Sequence, residues 1–145
     1  MNEQALGEDL NRLLALESRG LLRFLDRATP YLTPETFKIW GDLQAMATAT
    51  GDRSRRLTEL LESLELPVRP ASFDTVVANY HYTSLKTVLP LLADQTRSMI
   101  DVNQRAIKHS GHHPKARDEL MSLLVESQDR LEKLQTHASH WHQFQ

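Results

Sequence analysis

Cysteine is absent from the 145 residues of the chain. This absence excludes disulfides, thiol nucleophiles, thiolate zinc sites and iron–sulfur clusters, so only histidine and carboxylate ligands remain for metal chemistry. A chain without disulfides also fits a reducing compartment. Because the first residues, MNEQALGEDL, lack the basic and apolar regions of a signal peptide, we expect a cytoplasmic protein.

Long apolar runs and an excess of one charge are also missing. No run approaches the ~20 residues that a membrane-spanning helix needs, so we expect no membrane partner. The net charge is −2, with Lys and Arg scattered among Asp and Glu, and this pattern predicts no nucleic-acid partner. No Gly-rich phosphate loop or nucleophile elbow is present, which argues against an enzyme.

Glycine occurs only five times, and no stretch alternates apolar and polar residues as a strand would. Apolar residues instead recur at helical spacing almost from end to end, which predicts an all-α chain. With 40% hydrophobic and 25% charged residues, the chain should form a single domain over residues 1–145. We expect four helices. The first three should span about residues 2–28, 34–64 and 84–110, and the fourth should begin at Pro114, with an apolar stripe that reaches Trp141.

Proline marks the ends of these helices. Pro34 and Pro114 suit the first turn of a helix, and Pro67 stops the second one. Pro90 should kink the third helix or mark a later start. Short turns join the helices except between the second and third, where a longer link at about 67–83 could cross the length of the bundle at ~3.3 Å per residue. The pattern predicts an antiparallel four-helix bundle, with a simple up-down-up-down path as the alternative.

A polar residue interrupts each predicted apolar stripe near its midpoint. These residues are Glu17, Thr50, Thr96 and Ser127, on the four helices in turn. Midpoints of helices of similar length share one cross-section of a bundle. The sequence therefore predicts a polar layer across an otherwise apolar core.

Two stretches at this layer resemble the metal-binding motifs of rubrerythrin-like members of the ferritin superfamily. In that family a Glu from each of two helices and a Glu-x-x-His from each of the other two hold two metal ions. ATATGDRSRRLTELLESLELP places Thr50 at the Glu position and Arg53 at the His position. LLVESQDRLEKL places Ser127 and Arg130 likewise, whereas Glu17 in LLALESRG keeps the family's residue.

The resemblance implies a ferritin-like bundle that has lost its di-iron site. Hydroxyls bind iron weakly and a guanidinium repels cations, so we expect no metal cofactor. Arg53 and Arg130 can instead pair with Glu17, and the three hydroxyls of the layer can complete the hydrogen bonds. The alternative is that the hydroxyls bond to their own helices and the arginines reach water. The expected function is non-catalytic binding of an unknown protein or small molecule, or self-association.

A metal-binding ferritin-like protein that oxidises or stores iron, or handles peroxide, is the alternative function. Its di-iron site would use Glu17 in a shifted register together with Asp94, Glu126 and Asp129, although these three acids lie about one position off the inward stripes. Histidines gathered at one end of the bundle offer a weaker surface site for zinc, copper or nickel, or else help an aromatic plug to close that end. They are His81, His137, His140 and His142.

Apolar residues off the main stripes suggest a homodimer. Small bundles commonly bury a remaining apolar face against a second copy. The candidate residues are Ile39, Met46, Val77 and Val125.

Overall fold

The computed structural model of the chain describes residues 2–19, 37–69 and 85–142, and all its regular structure in these ranges is helical. The helices are α1 (Asn2–Arg19), α2 (Phe37–Ser63), α3 (Leu85–His109) and α4 (Pro114–His142). The predicted all-α fold with four long helices is confirmed. The predicted continuation of the first helix to Ala28 and the start of the second at Pro34 lie outside the described residues.

The end of α2 has the hydrogen bonds of a Schellman motif. The Glu65 amide donates to the Glu62 carbonyl at 3.0 Å, and the Leu66 amide donates to the Leu61 carbonyl at 2.9 Å. This geometry needs a left-handed residue, and Glu65 takes that place with φ 57°. The helix therefore ends within one residue of the predicted position.

Proline acts differently in the last two helices. α3 begins at Leu85 and includes Pro90, so the proline does not mark a later start. α4 begins at Pro114, as the sequence predicts, because the fixed φ of proline suits the first helical position and its missing N–H would be unpaired there anyway. A short turn, in which the His113 amide donates to the Ser110 carbonyl at 2.9 Å, joins the two helices.

Contacts between side chains give the directions of the helices. Asn11, in the middle of α1, donates to the Pro67 carbonyl just beyond the end of α2 at 2.9 Å, whereas Glu17, near the end of α1, contacts Arg53 in the interior of α2. Asp9, in the first half of α1, contacts His109 at the end of α3 at 2.9 Å. α1 is therefore antiparallel to both. α4 in turn packs against α3 and more loosely against α2.

It follows that α2 and α3 run parallel across one diagonal of the bundle, with α1 and α4 on the other. α2 ends and α3 begins at opposite ends of the molecule. This is the helix order that a lengthwise connection between the second and third helices requires, and it differs from an up-down-up-down path. Most of the connecting residues lie outside the described ranges.

The core consists of two apolar clusters. The first lies between the beginning of α2, the beginning of α3 and the end of α4, and its largest members are Trp40, Leu43, Leu89, Leu92 and Leu134. The second lies between α1, the end of α2, the end of α3 and the beginning of α4, and includes Leu6, Leu10, Leu57, Leu61 and Leu120. On every helix that contributes to both clusters, the polar layer separates them.

The inward face of α4 is rotated from the predicted stripe. The apolar spacing of the fourth helix predicts that Leu124 and Leu131 face inward. Both are only half-buried, whereas Leu123 and Arg130 are buried. The candidate dimer face also changes, because Ile39 and Met46 belong to the first apolar cluster. Val125 is 63% exposed, and Val77 lies outside the described residues.

Among the described helices, none has the length and hydropathy that crossing a membrane demands.

Candidate functional site

The structure brings the six residues of the predicted layer into the interior of the bundle. Each of them is at most 6% exposed. They come from all four helices and lie between the two apolar clusters: Glu17, Thr50, Arg53, Thr96, Ser127 and Arg130. A layer of charged groups is thus enclosed by leucine-rich packing on both sides.

Glu17 is contacted by both arginines of the layer through a single carboxylate oxygen. Arg130 Nη2 donates a hydrogen bond to Glu17 Oε1 at 3.2 Å. Arg53 Nε lies 3.0 Å from the same oxygen but is not aligned as a hydrogen bond, so this contact is an electrostatic one. The other oxygen, Oε2, is buried and has no hydrogen-bond partner among the described residues.

Arg53 connects three helices. From α2 it reaches Glu17 on α1, and its two terminal nitrogens point to α4. Nη2 donates to Ser127 Oγ at 2.6 Å, while Nη1 lies 3.2 Å from the Leu123 carbonyl and 3.4 Å from Glu126 Oε1. A planar guanidinium with five donors can serve several acceptors in this way. The alternative that this arginine reaches water is wrong, since only 3% of it is exposed.

The three hydroxyls of the layer do not act alike. Thr50 donates to the Ala47 carbonyl at 2.6 Å and Thr96 to the Leu92 carbonyl at 2.8 Å, both within their own helices. Such bonds satisfy a buried hydroxyl locally. Only Ser127 joins the arginine network, so the expected role of the hydroxyls is right for Ser127 and wrong for the two threonines.

The buried layer has more positive than negative charge. Arg53 and Arg130 share one buried carboxylate, and Glu126, which also contacts Arg53, lies at the surface with 42% of its side chain exposed. Burial lowers the pKa of Arg130 below its ordinary value, and the positive charge of Arg53 acts in the same direction, although Glu17 opposes both. Arg130 therefore shares its one buried carboxylate, Glu17, with Arg53.

A pocket of about 240 Å³ lies between α2 and α4 and opens onto this layer. On its α2 side the apolar residues Ala45, Met46 and Ala49 lie between Asp42 and Arg53. Arg53 and Arg130 form part of its wall, so the charged layer is accessible from this side. The loose packing of α2 against α4 accounts for the space.

The other charged residues around the pocket are paired. Asp42 lies 2.8 Å from His137, and Asp129 lies 3.1 Å from Lys133. Glu126 accepts a hydrogen bond from Arg56 at 2.8 Å. The acidic side chains of the pocket are thus each next to a basic group.

Arg56 is a second link between α2 and α4, to which the sequence analysis gave no role. Besides Glu126, it contacts Glu119 through Nε and donates to Ser122 Oγ at 3.1 Å. Its position three residues after Arg53, on the same side of the helix, is the signal that could have identified it. Arg55, by contrast, is exposed and pairs with Asp52 and Glu59 of its own helix.

The four acids of the alternative di-iron site do not converge. Asp94 is exposed and pairs with Arg97, and neither Glu126 nor Asp129 contacts Glu17. Within the described ranges, no group of three or more His, Asp or Glu side chains is arranged to hold a metal ion. A layer with one carboxylate and two guanidinium groups also does not fit a di-iron centre, because its donors repel or bind cations poorly.

The surface histidine site is only partly described. His137 contacts Asp42, while His81 and the side chains of His140 and His142 lie outside the described residues. The zinc, copper or nickel site therefore stays a prediction.

Two further buried polar residues lie on helices that form the second apolar cluster. The apolar spacing of the third helix predicts that Asn103 faces inward, whereas Asp9 was not predicted to be buried. Asp9 is 9% exposed and contacts His109 Nδ1 at 2.9 Å, with Arg105 at 3.9 Å. Asn103 is 1% exposed, and its Oδ1 has no hydrogen-bond partner in the described part of the chain. The position of Asp9 between Leu6 and Leu13 on the inward face was the available signal for it.

No protein-family model, curated protein or solved structure matches this chain. Fold and site together define a class, a four-helix bundle with a buried charged layer at its centre.

Proposed function

We propose that the chain is a ferritin-like bundle that has lost its di-iron site and acts as a non-catalytic binding protein. One observation carries the proposal: Arg53 and Arg130 both contact Glu17 Oε1, at 3.0 and 3.2 Å. These arginines occupy the positions at which the resemblance places metal-binding histidines. Two guanidinium groups then supply the positive charge that metal ions would supply in a ferritin-like centre.

The arrangement of the helices supports the ferritin-like part of the proposal. α2 and α3 are parallel and diagonal, as the lengthwise connection of ferritin-like bundles requires. Asn11 beside Pro67 and Asp9 beside His109 are the contacts from which this order follows.

The chemistry of the layer supports binding rather than catalysis. A hydroxyl nucleophile needs an adjacent base to remove its proton. Ser127 instead accepts a hydrogen bond from the cation Arg53, and Thr50 and Thr96 donate to their own helices. The hydroxyls of the layer are therefore structural groups.

Metal analysis tests the proposal. The protein is purified without chelator, offered ferrous iron, desalted and measured by inductively coupled plasma mass spectrometry. We expect no stoichiometric iron. Two irons per chain that are retained in Glu8→Ala, an exposed position of α1, and lost in Glu17→Ala would overturn the proposal and favour the di-iron alternative.

Self-association is a second form of binding that one surface feature favours. Met121 and Val125 lie one turn apart on α4 and are 46% and 63% exposed. Adjacent exposed apolar residues are a surface that a second copy could cover. Sedimentation at several concentrations tests it, and a mass that stays at 16.6 kDa throughout would exclude a dimer in that range.

A further inference from the structure

We infer that the pocket between α2 and α4 binds a small organic monocarboxylate, with Arg130 holding its carboxylate and α2 contacting its apolar part. The inference rests on the proposed binding function and names the class of ligand. It follows from the charge of the layer, from the unused donors of Arg130 and from the apolar wall of the pocket.

The charge of the layer favours one further anion. Two guanidinium groups, 3% and 6% exposed, face a single buried carboxylate, which leaves one positive charge in excess. Arg53 also contacts Glu126 at the surface, whereas Arg130 has only the carboxylate that it shares with Arg53. A buried charge that is only partly compensated is costly, because the interior replaces water poorly. An anion that enters the pocket meets this excess at short range and in a medium where electrostatic attraction is strong.

Arg130 has the donors that such an anion needs. A guanidinium carries five N–H groups. Those of Arg53 serve Ser127, Leu123 and Glu126, but Arg130 has only Glu17 as an acceptor among the described residues. Because Arg130 also lines the pocket, its remaining N–H groups are available to a carboxylate, which can accept two of them at once.

The surroundings select for a single negative charge. Asp42, Glu126 and Asp129 line the pocket as well, each beside its own basic partner. These carboxylates would repel a second negative charge on the ligand. A monocarboxylate matches the excess charge of the layer, whereas a phosphate dianion does not.

The size and the α2 side of the pocket define the rest of the ligand. At about 240 Å³ it is slightly smaller than the ~300 Å³ at which typical ligand pockets begin. Ala45, Met46 and Ala49 offer an apolar surface to a compact aliphatic or aromatic group. Benzoate has this combination of one carboxylate and one compact apolar body.

Titration with benzoate, followed by amide chemical shifts and calorimetry, tests the inference. We expect saturable binding with shifts that centre on Ala45, Ala49 and Arg130. Benzamide has the same shape as benzoate but no negative charge, and inorganic phosphate has no apolar group. Each should therefore bind at least about tenfold more weakly than benzoate. Equal binding of benzoate and benzamide, or no saturable binding of benzoate, would overturn the inference.

Two variants and a control locate the site. Arg130→Gln should weaken benzoate binding about tenfold or more, while Arg117→Gln, the same change at an exposed position of α4, should leave it unchanged. If Arg130→Gln does not fold, Ala49→Leu fills the pocket from an exposed position of α2 and should abolish binding. Unchanged binding in Ala49→Leu would contradict the proposed location.

The metal analysis is repeated on the protein used for the titration. Metal-free protein that does not bind benzoate refutes the ligand class and leaves the proposed loss of the di-iron site intact. Iron that loads in a Glu17-dependent way refutes the proposed function itself. The two failures are therefore distinguishable.

Discussion

Glu17 and Arg130 lie on the two helices of one diagonal of the bundle, and yet Arg130 Nη2 comes within 3.2 Å of Glu17 Oε1. The contact crosses the centre of the molecule, where Arg53 reaches the same oxygen from α2. Three ionised groups thus hold one another where leucines would otherwise meet. Both apolar clusters pack around this arrangement.

Replacing Glu17 by Gln should destabilise the fold strongly. Two buried guanidinium groups would then lie near each other without the carboxylate that they share, and breaking a buried ion pair typically costs about 3–5 kcal/mol. Urea unfolding followed by circular dichroism measures the loss. Glu8→Gln, the same change at an exposed position of α1, should stay within about 0.5 kcal/mol of the parent. Equal stability of the two variants would count against the ion pairs of Glu17.

Arg56→Met should weaken the contact between α2 and α4. The substitution removes the bonds to Glu119, Ser122 and Glu126, and because the guanidinium is partly exposed we expect a loss of only about 1 kcal/mol. The loss should shrink at high salt. Arg55→Met removes only exposed contacts along its own helix, so its urea midpoint should match that of the parent protein.

The contribution of Glu126 to stability should disappear in acid. Burial alone would raise the pKa of its carboxyl above 4.5, but the hydrogen bond from Arg56 and the charges of Arg56 and Arg53 outweigh burial and lower it. A carboxyl with a lowered pKa stabilises the folded state above its unfolded pKa, and this stabilisation is lost as the pH falls through the folded pKa. At neutral pH the parent protein should therefore have a larger free energy of unfolding than Glu126→Gln. Below pH 4.5 the difference between the two proteins should shrink.

Urea unfolding of the parent and of Glu126→Gln at several pH values measures this difference. The same pair in an Arg56→Met background is the control, because the largest favourable partner of Glu126 is then absent. The difference should become smaller there at neutral pH. A difference that does not vary with pH would exclude the ion pairs of Glu126 as its source.

Glu65→Gly should stabilise the protein. Glu65 has φ 57°, a conformation that costs a residue with a side chain ~1–2 kcal/mol and costs glycine almost nothing. Because glycine also makes the unfolded chain more flexible, we expect a net gain of up to about 1 kcal/mol. The control is Glu62→Gly, three residues earlier and inside α2, which should lose about 1 kcal/mol. Thermal unfolding that ranks the two variants in the opposite order would contradict the role of Glu65.

Helical spacing was sufficient to predict the four helices and the midpoint layer. Glu17, Thr50, Thr96 and Ser127 interrupt otherwise apolar stripes, and a repeat near 3.6 residues places such interruptions on the inward face. Pro67 and Pro114 gave helix boundaries because proline lacks an amide hydrogen. These signals depend only on residues close together in the chain, so they can be read from the sequence without knowing how the helices pack.

The remaining features depend on distances between helices, which periodicity does not contain. Thr50 bonds to its own helix, whereas Ser127 accepts a hydrogen bond from Arg53 of another helix. Distances of a few ångströms between the helices decide between these two outcomes. The rotation of α4 that buries Leu123 instead of Leu124 results from its packing against α3 and α2. Arg56 and the pocket likewise follow from the wide spacing of α2 and α4.

The charged layer also fixes the register of the bundle. The leucines on either side of it are alike, so sliding α2 by one turn, ~5.4 Å, would bring Leu57 to a place that another leucine could fill. The same slide would move the buried guanidinium of Arg53 away from the Glu17 carboxylate, and apolar packing cannot replace that contact. Among the alignments that leucine packing tolerates, the three ionised groups therefore specify one.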